Sequence, residues 1–126
     1  MSLKYQDAFV ALGAINFDLL INFYGELLGE KPDKYIPNVY GEFKLTGLRL
    51  GIFKPKENHL EEFGGGKSGM SLCLEVDDLE EAIAFLTQMG YAPPGKITIA
   101  AHGKEIYAFD PEGNRLILHQ LPTPSG

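Results

Sequence analysis

The chain has 126 residues, 44% hydrophobic and 22% charged, which is ordinary for a globular protein and suits one domain over 1–126. Its net charge of -6 excludes the usual nucleic-acid-binding class, because such proteins present a basic face to the phosphates. Nucleic acid is therefore not an expected partner. No apolar run approaches the roughly 20 residues needed to cross a bilayer, so a membrane is not an expected partner either.

Two further features favour the cytoplasm. The N-terminal segment MSLKYQDAF lacks a basic region followed by an apolar core, so we expect no export signal. Cys73 is the one cysteine, so the sequence contains no disulfide framework and no Cys-x-x-Cys pair. Cys73 lies in an apolar run with no sequence neighbour that would lower its pKa, and we expect a buried structural thiol.

The first half of the chain, about 7–55, predicts a module of strand, helix and three strands. Leu20, Phe23 and Tyr24 recur at helical spacing and give the helix one apolar face. The predicted elements are a strand over 7–15, a helix that Asp18 caps and Gly29 ends, a short or irregular strand between Pro32 and Pro37, and a hairpin around Thr46–Gly47.

The stretch 56–69 is charged and glycine-rich, and it is expected to link the halves. Its GGGKS segment is similar to part of a phosphate-binding loop. That motif requires a glycine at the position of Glu61 and a helix after the lysine, whereas a strand is predicted to follow. A flexible linker therefore explains the glycines.

The second half, about 70–121, repeats the order of the first. It predicts a strand over 70–76, a helix with an Asp78–Glu81 capping box that ends at Gly90, and strands over 104–109 and 115–120. An offset of 62 residues superimposes Phe23 on Phe85 and Gly41 on Gly103. Two small units that share a core, within one chain or between chains, are the expected result, the alternative being unrelated halves that match by chance.

Three segments carry a resemblance to a known family: NFYGELLG, LEVDDLEEAIAFL and FDPEGNRLIL. They resemble the vicinal oxygen chelate superfamily, which includes glyoxalase I, extradiol dioxygenases and bleomycin-resistance proteins. The resemblance implies an α+β fold of two βαβββ modules whose curved mixed sheets form a cup, usually in a dimer.

The same resemblance implies where a divalent metal would be held. The implied ligand positions fall on Phe9, on or near Gly51, on Ser71 and on Ile117. Such sites need imidazole and carboxylate donors, which these residues do not supply. We therefore expect no metal, no other cofactor and no catalytic residue. A displaced site is not indicated, because none of His59, His102 and His119 has an evident His or carboxylate partner at short ligand spacing.

Strand alternation separates the residues of the non-helix faces from those that face the helices. These non-helix faces mix aromatic, small and charged side chains, which suits a concave site with apolar walls and few polar groups. The predicted ligand-binding residues are Phe9, Phe53, Ser71, Cys73, Glu75, Tyr107, Ile117 and His119.

Most of these residues also have a plainer interpretation. Glu75 is equally well a solvated carboxylate at a strand end. For His119, an exposed residue near the C-terminus is the favoured interpretation. Tyr107 belongs either to this face or to the core, and His102 either covers the cup or is an ordinary connector. Phe9 is either a stacking wall or a plug.

The leading functional hypothesis is a metal-free, cytoplasmic protein that sequesters a small amphipathic organic ligand, preferably a cationic one with Glu75 as its partner. The alternatives are a metal-dependent lyase or dioxygenase of the same superfamily and an interaction protein with a filled cup. A homodimer is expected, because bare sheet edges invite pairing.

Overall fold

The computed structural model describes residue 4, residues 6–63 and residues 70–122. The chain divides into two compact units, Met1–Gly64 and Gly65–Gly126. Each unit contains one four-stranded mixed sheet. The Gly64–Ser68 segment lies outside the described residues.

The first unit contains strand, helix and three strands, as predicted. Strand β1 pairs in parallel with β4, and β3 pairs antiparallel with both β4 and β2, which gives the order β1-β4-β3-β2. The elements are β1 (Val10–Gly13), α1 (Phe17–Leu28), β2 (Lys34–Ile36), β3 (Tyr40–Leu45), β4 (Leu48–Phe53), a 3-10 turn (Glu57–His59) and the short helix α2 (Leu60–Phe63). The last two lie inside the predicted linker.

The second unit has the same topology, with the order β5-β8-β7-β6 and a parallel pair between β5 and β8. Its elements are β5 (Leu72–Glu75), α3 (Leu79–Met89), β6 (Thr98–Ala100), β7 (Gly103–Phe109) and β8 (Arg115–Gln120). The predicted α+β fold of two βαβββ modules is confirmed. No helix in the described part of the chain is long and apolar enough to cross a membrane.

The helix ends follow the local sequence, with one correction. Asn16, not Asp18, caps α1, since its side chain accepts from the backbone N–H of Leu19 at 3.2 Å. Asp18 lies in the first turn, where its negative charge interacts favourably with the helix dipole. Asp78 caps α3 as predicted, accepting from the N–H of Glu81 at 3.1 Å, and both helices end at glycines with left-handed backbone, Gly29 and Gly90.

Each helix covers one face of its own sheet. In the second unit, α3 buries Leu79 and Leu86, and the sheet buries the helix-facing residues Ile106, Leu116 and Leu118. Their neighbours along the strands point to the other face, because side chains alternate. The core therefore determines which residues remain on the non-helix face.

Candidate functional site

The non-helix face of the second sheet carries six of the predicted site residues. Strand register places Glu75, His119 and Glu105 side by side in one row across the sheet. The next row holds Cys73, Ile117 and Tyr107. Beyond it, the Nε of Arg115 donates to the hydroxyl of Ser71 at 2.7 Å. The predicted residues on this face are Ser71, Cys73, Glu75, Tyr107, Ile117 and His119.

The structure shows whether Tyr107 belongs to the core or to the non-helix face, which the sequence left open. Its side chain is half exposed, whereas Ile106 and Ala108 on either side of it are buried. The guanidinium of Arg115 lies 5.7 Å from the centre of its ring. Tyr107 and Phe109 therefore belong to the non-helix face and not to the core.

His119 lies at the centre of a polar cluster. Its Nδ1 is 2.8 Å and 2.9 Å from the two carboxylate oxygens of Glu75. Its Nε2 is 3.1 Å from Nδ1 of His102, and the two rings stack with their centres 5.2 Å apart. His119 is only 8% exposed, so the expectation of an exposed C-terminal residue is wrong.

The hairpin between β6 and β7 brings His102 to this cluster. Ala101 and His102 form the two-residue turn, and Gly103 begins β7 with a φ of 129°. His102 is thus held over His119 by a tight turn and not by a long loop.

Nearby charges change the acid–base properties of the face. The hydrogen bond to Glu75 raises the pKa of His119, and desolvation opposes that effect. Partial desolvation raises the pKa of the Cys73 thiol, and the charges of Glu75 and Glu105 raise it further. Cys73 is exposed, so the prediction of a buried thiol is wrong, but the raised pKa disfavours the reactive thiolate.

The cluster also corrects the view that no histidine has a suitable partner. One ligand atom from each of His102, Glu105 and His119 lies within 4.8 Å of the other two. Sequence reasoning overlooked Glu105. Alternation along β7 would have placed it on the same face as Tyr107, but only the register shows that it lies opposite His119.

The first unit's non-helix face is occupied by its own side chains. A Cβ on Gly51 would lie 2.7 Å from the Tyr40 hydroxyl, and one on Gly13 would lie 2.6 Å from the ring of Phe63. The Phe63 ring also packs edge-on against Phe53, with the ring centres 5.0 Å apart. Phe53 is therefore a packing residue on this face.

A buried polar network accompanies that packing. The hydroxyl of Tyr40 donates to Glu42 at 2.8 Å, and the guanidinium of Arg49 donates to the same carboxylate oxygen at 3.3 Å. Burial and the hydrogen bond to Glu42 raise the pKa of Tyr40 to about 12. Sequence reasoning did not single out Tyr40 or Glu42.

Phe9 lies beside this network and is 47% exposed. The guanidinium of Arg49 lies 4.7 Å from the centre of its ring and also pairs with Asp7. Phe9 is therefore one side of a cation–π contact within its own unit.

Solved structures share this fold over nearly their whole length. A glyoxalase family protein from Enterococcus faecalis is 28% identical, with a TM-score of 0.71 and coverage of 90% of this chain and 96% of its own. A lactoylglutathione lyase from Agrobacterium tumefaciens (20% identity, TM-score 0.68, coverage 93% and 96%) and a bleomycin resistance determinant encoded on transposon Tn5 (22%, 0.66, 93% and 98%) also match.

The chain has the fold of the vicinal oxygen chelate superfamily. The resemblance predicted from the sequence is thereby confirmed. No family model and no curated protein matches the chain.

The superfamily's metal positions do not fit a metal in this chain. Gly51 has no side chain, and the hydroxyl of Tyr40 lies over it. Phe9 and Ile117 carry no donor atom, and Ser71 accepts a hydrogen bond from the cationic Arg115. A divalent ion needs imidazole or carboxylate ligands without a competing cation.

A pocket of about 330 Å³ lies against β6, β7 and the end of β8, where it is lined by Lys104, Gln120 and Leu121 among others. None of the predicted ligand residues lines it. The six predicted residues of the second unit instead share its non-helix face.

Proposed function

We propose that this chain binds a small amphipathic organic molecule without transforming it. The observation that carries the proposal is the set of residues at the superfamily's four metal positions, Phe9, Gly51, Ser71 and Ile117. Enzymes of this fold depend on a metal at those positions, as the resemblance implies. A chain without those donors keeps the fold as a binding scaffold.

The non-helix face of the second sheet is the proposed binding surface. Tyr107 and Phe109 are 50% and 38% exposed and offer aromatic contact area. Glu75 and Glu105 lie in the row next to that of Tyr107, and Phe109 lies one row further on, opposite Arg115. Aromatic rings beside carboxylates favour an organic cation, which stacks on the ring and pairs with the carboxylate.

Glu75 is the proposed charge partner of the ligand. Its side chain is 58% exposed although it contacts His119, so it can pair with a ligand from the solvent side. In the described part of the first unit, Glu42 is not an equivalent, because it is buried and already paired with Arg49.

Replacing Glu75 by glutamine is expected to remove most of the thermal stabilisation by cationic aromatic compounds. A ligand at 100 times its Kd stabilises a fold by about 2.7 kcal/mol, a shift of several degrees in Tm for a domain of this size. The E75Q protein should keep its response to neutral compounds. A dye-based melting screen in EDTA, with cationic, neutral and anionic aromatic compounds of similar size, measures both.

Glu26→Gln is the matched control, since Glu26 is an exposed carboxylate on α1. It should respond to cations as the wild type does. The proposal fails if anionic compounds stabilise best or if E75Q responds to cations as strongly as E26Q.

We also propose a cytoplasmic homodimer. Each four-stranded sheet has two edge strands, β1 and β2 in one and β5 and β6 in the other, and such edges favour pairing with another chain. Light scattering after size exclusion should give twice the chain mass of 13.9 kDa at micromolar concentration. A mass of one chain would contradict this.

A further inference from the structure

We propose that His102, Glu105 and His119 bind one divalent transition-metal ion of the zinc or nickel class on the second sheet. The inference goes beyond the proposed function and does not rest on it. It concerns a place on the sheet different from the superfamily's metal positions, and it replaces the expectation that the chain binds no metal.

The ligand atoms are close enough to share one ion. His102 Nδ1 and His119 Nε2 are 3.1 Å apart, and a carboxylate oxygen of Glu105 completes a set within 4.8 Å. Ligand atoms about 2.0–2.2 Å from zinc at tetrahedral angles lie about 3.4 Å from each other. The histidine pair therefore already has nearly the separation that coordination requires.

Glu75 gives His119 the tautomer that a metal ligand needs. Its carboxylate accepts a hydrogen bond from Nδ1–H of His119, and the lone pair of Nε2 is then directed toward His102. Metal-bound histidines commonly donate their second N–H to a carboxylate, which fixes the ring and raises its basicity. Glu75 is therefore a positioning residue for this site.

The local charge also favours a cation. Glu75 and Glu105 flank His119 on both sides in one row. Arg115, which lies on the same face, is directed to Ser71 and Tyr107 instead. In the first unit, by contrast, the guanidinium of Arg49 already neutralises Glu42.

Two imidazoles and one carboxylate select the ion by class. Imidazole suits zinc, nickel, copper and iron, whereas magnesium and calcium prefer oxygen ligands alone. Three protein ligands leave at least one coordination position for water or another small ligand, as in open zinc sites. We therefore expect Zn²⁺ or Ni²⁺ to bind and Mg²⁺ not to bind.

Isothermal titration of the purified, EDTA-treated and dialysed protein with ZnCl₂ tests the site. We expect one ion per chain with a Kd in the micromolar range or tighter, and at least a tenfold weaker Kd in His102→Ala and in Glu105→Gln. Glu75→Gln should weaken binding by about 10- to 100-fold through the orientation of His119. Both His102 and Glu105 are outside the core, so these variants should fold.

His59→Ala is the matched control, because His59 belongs to the other unit, and it should bind zinc as the wild type does. Absence of a stoichiometric site, or equal affinity in His102→Ala and His59→Ala, would overturn the proposal. The organic-cation screen contains EDTA, and in it His102→Ala should be stabilised by cations as the wild type is. Failure of one proposal can therefore be distinguished from failure of the other.

Discussion

Replacing Gly103 by alanine is expected to lower the free energy of unfolding by about 3–5 kcal/mol, which combines a steric overlap with backbone strain. The new Cβ would overlap the backbone carbonyl oxygen of Gln120 and lie 2.9 Å from Nε2 of His119. The φ of 129° at this residue is one that side-chain-bearing residues rarely adopt. The overlap involves backbone, so it cannot be relieved by a side-chain rotation.

Urea unfolding followed by far-UV circular dichroism measures the loss. Gly95→Ala is the control, since a Cβ there meets no atom within 4 Å, and it should change stability by less than about 1 kcal/mol. Equal stability of the two variants would show that a Cβ at Gly103 does not overlap the carbonyl oxygen of Gln120. Zinc titration of Gly103→Ala should also show a weakened site.

Replacing Asp110 by alanine is the second large effect, with an expected loss of about 2–4 kcal/mol. Asp110 is 4% exposed. One of its carboxylate oxygens accepts from the N–H groups of Glu112 and Asn114, both at 2.9 Å, and the other accepts from the Asn114 amide at 2.8 Å. Alanine leaves these donors without their charged acceptor, which loosens the turn between β7 and β8.

Asp110→Asn distinguishes the contributions of the two carboxylate oxygens, because asparagine keeps one acceptor oxygen and loses the other. We expect its unfolding free energy to lie between those of the wild type and Asp110→Ala in the same urea experiment. An alanine variant as stable as the wild type would mean that the turn is set by Gly113, whose φ is 84°, without help from Asp110.

The elements themselves were predictable because their causes are local. Apolar residues at helical spacing, a capping aspartate at Asp78 and a glycine at Gly90 are enough to define α3. The first helix shows the limit of this reasoning. Asn16 and Asp18 are both good N-cap residues. The backbone conformation at the start of the helix makes Asn16 the cap, because its side chain accepts a hydrogen bond from the N–H of Leu19.

The candidate site was predictable in part. Alternation placed Ser71, Cys73, Glu75, Ile117 and His119 on one face, because side-chain direction in a strand follows from position alone. It did not reveal that Cys73 is exposed, since burial depends on what covers a face.

The sequence by itself determined the repeat, the strand and helix order and the loss of donors at the superfamily's metal positions. Only the tertiary structure decided that Glu75 and Glu105 lie on either side of His119 and that His102 stacks on it. Glu75 and His119 are far apart in the chain and meet through the register of the parallel β5–β8 pair. Register depends on the whole buried face of the sheet, and a shift of one residue would direct His119 into the core.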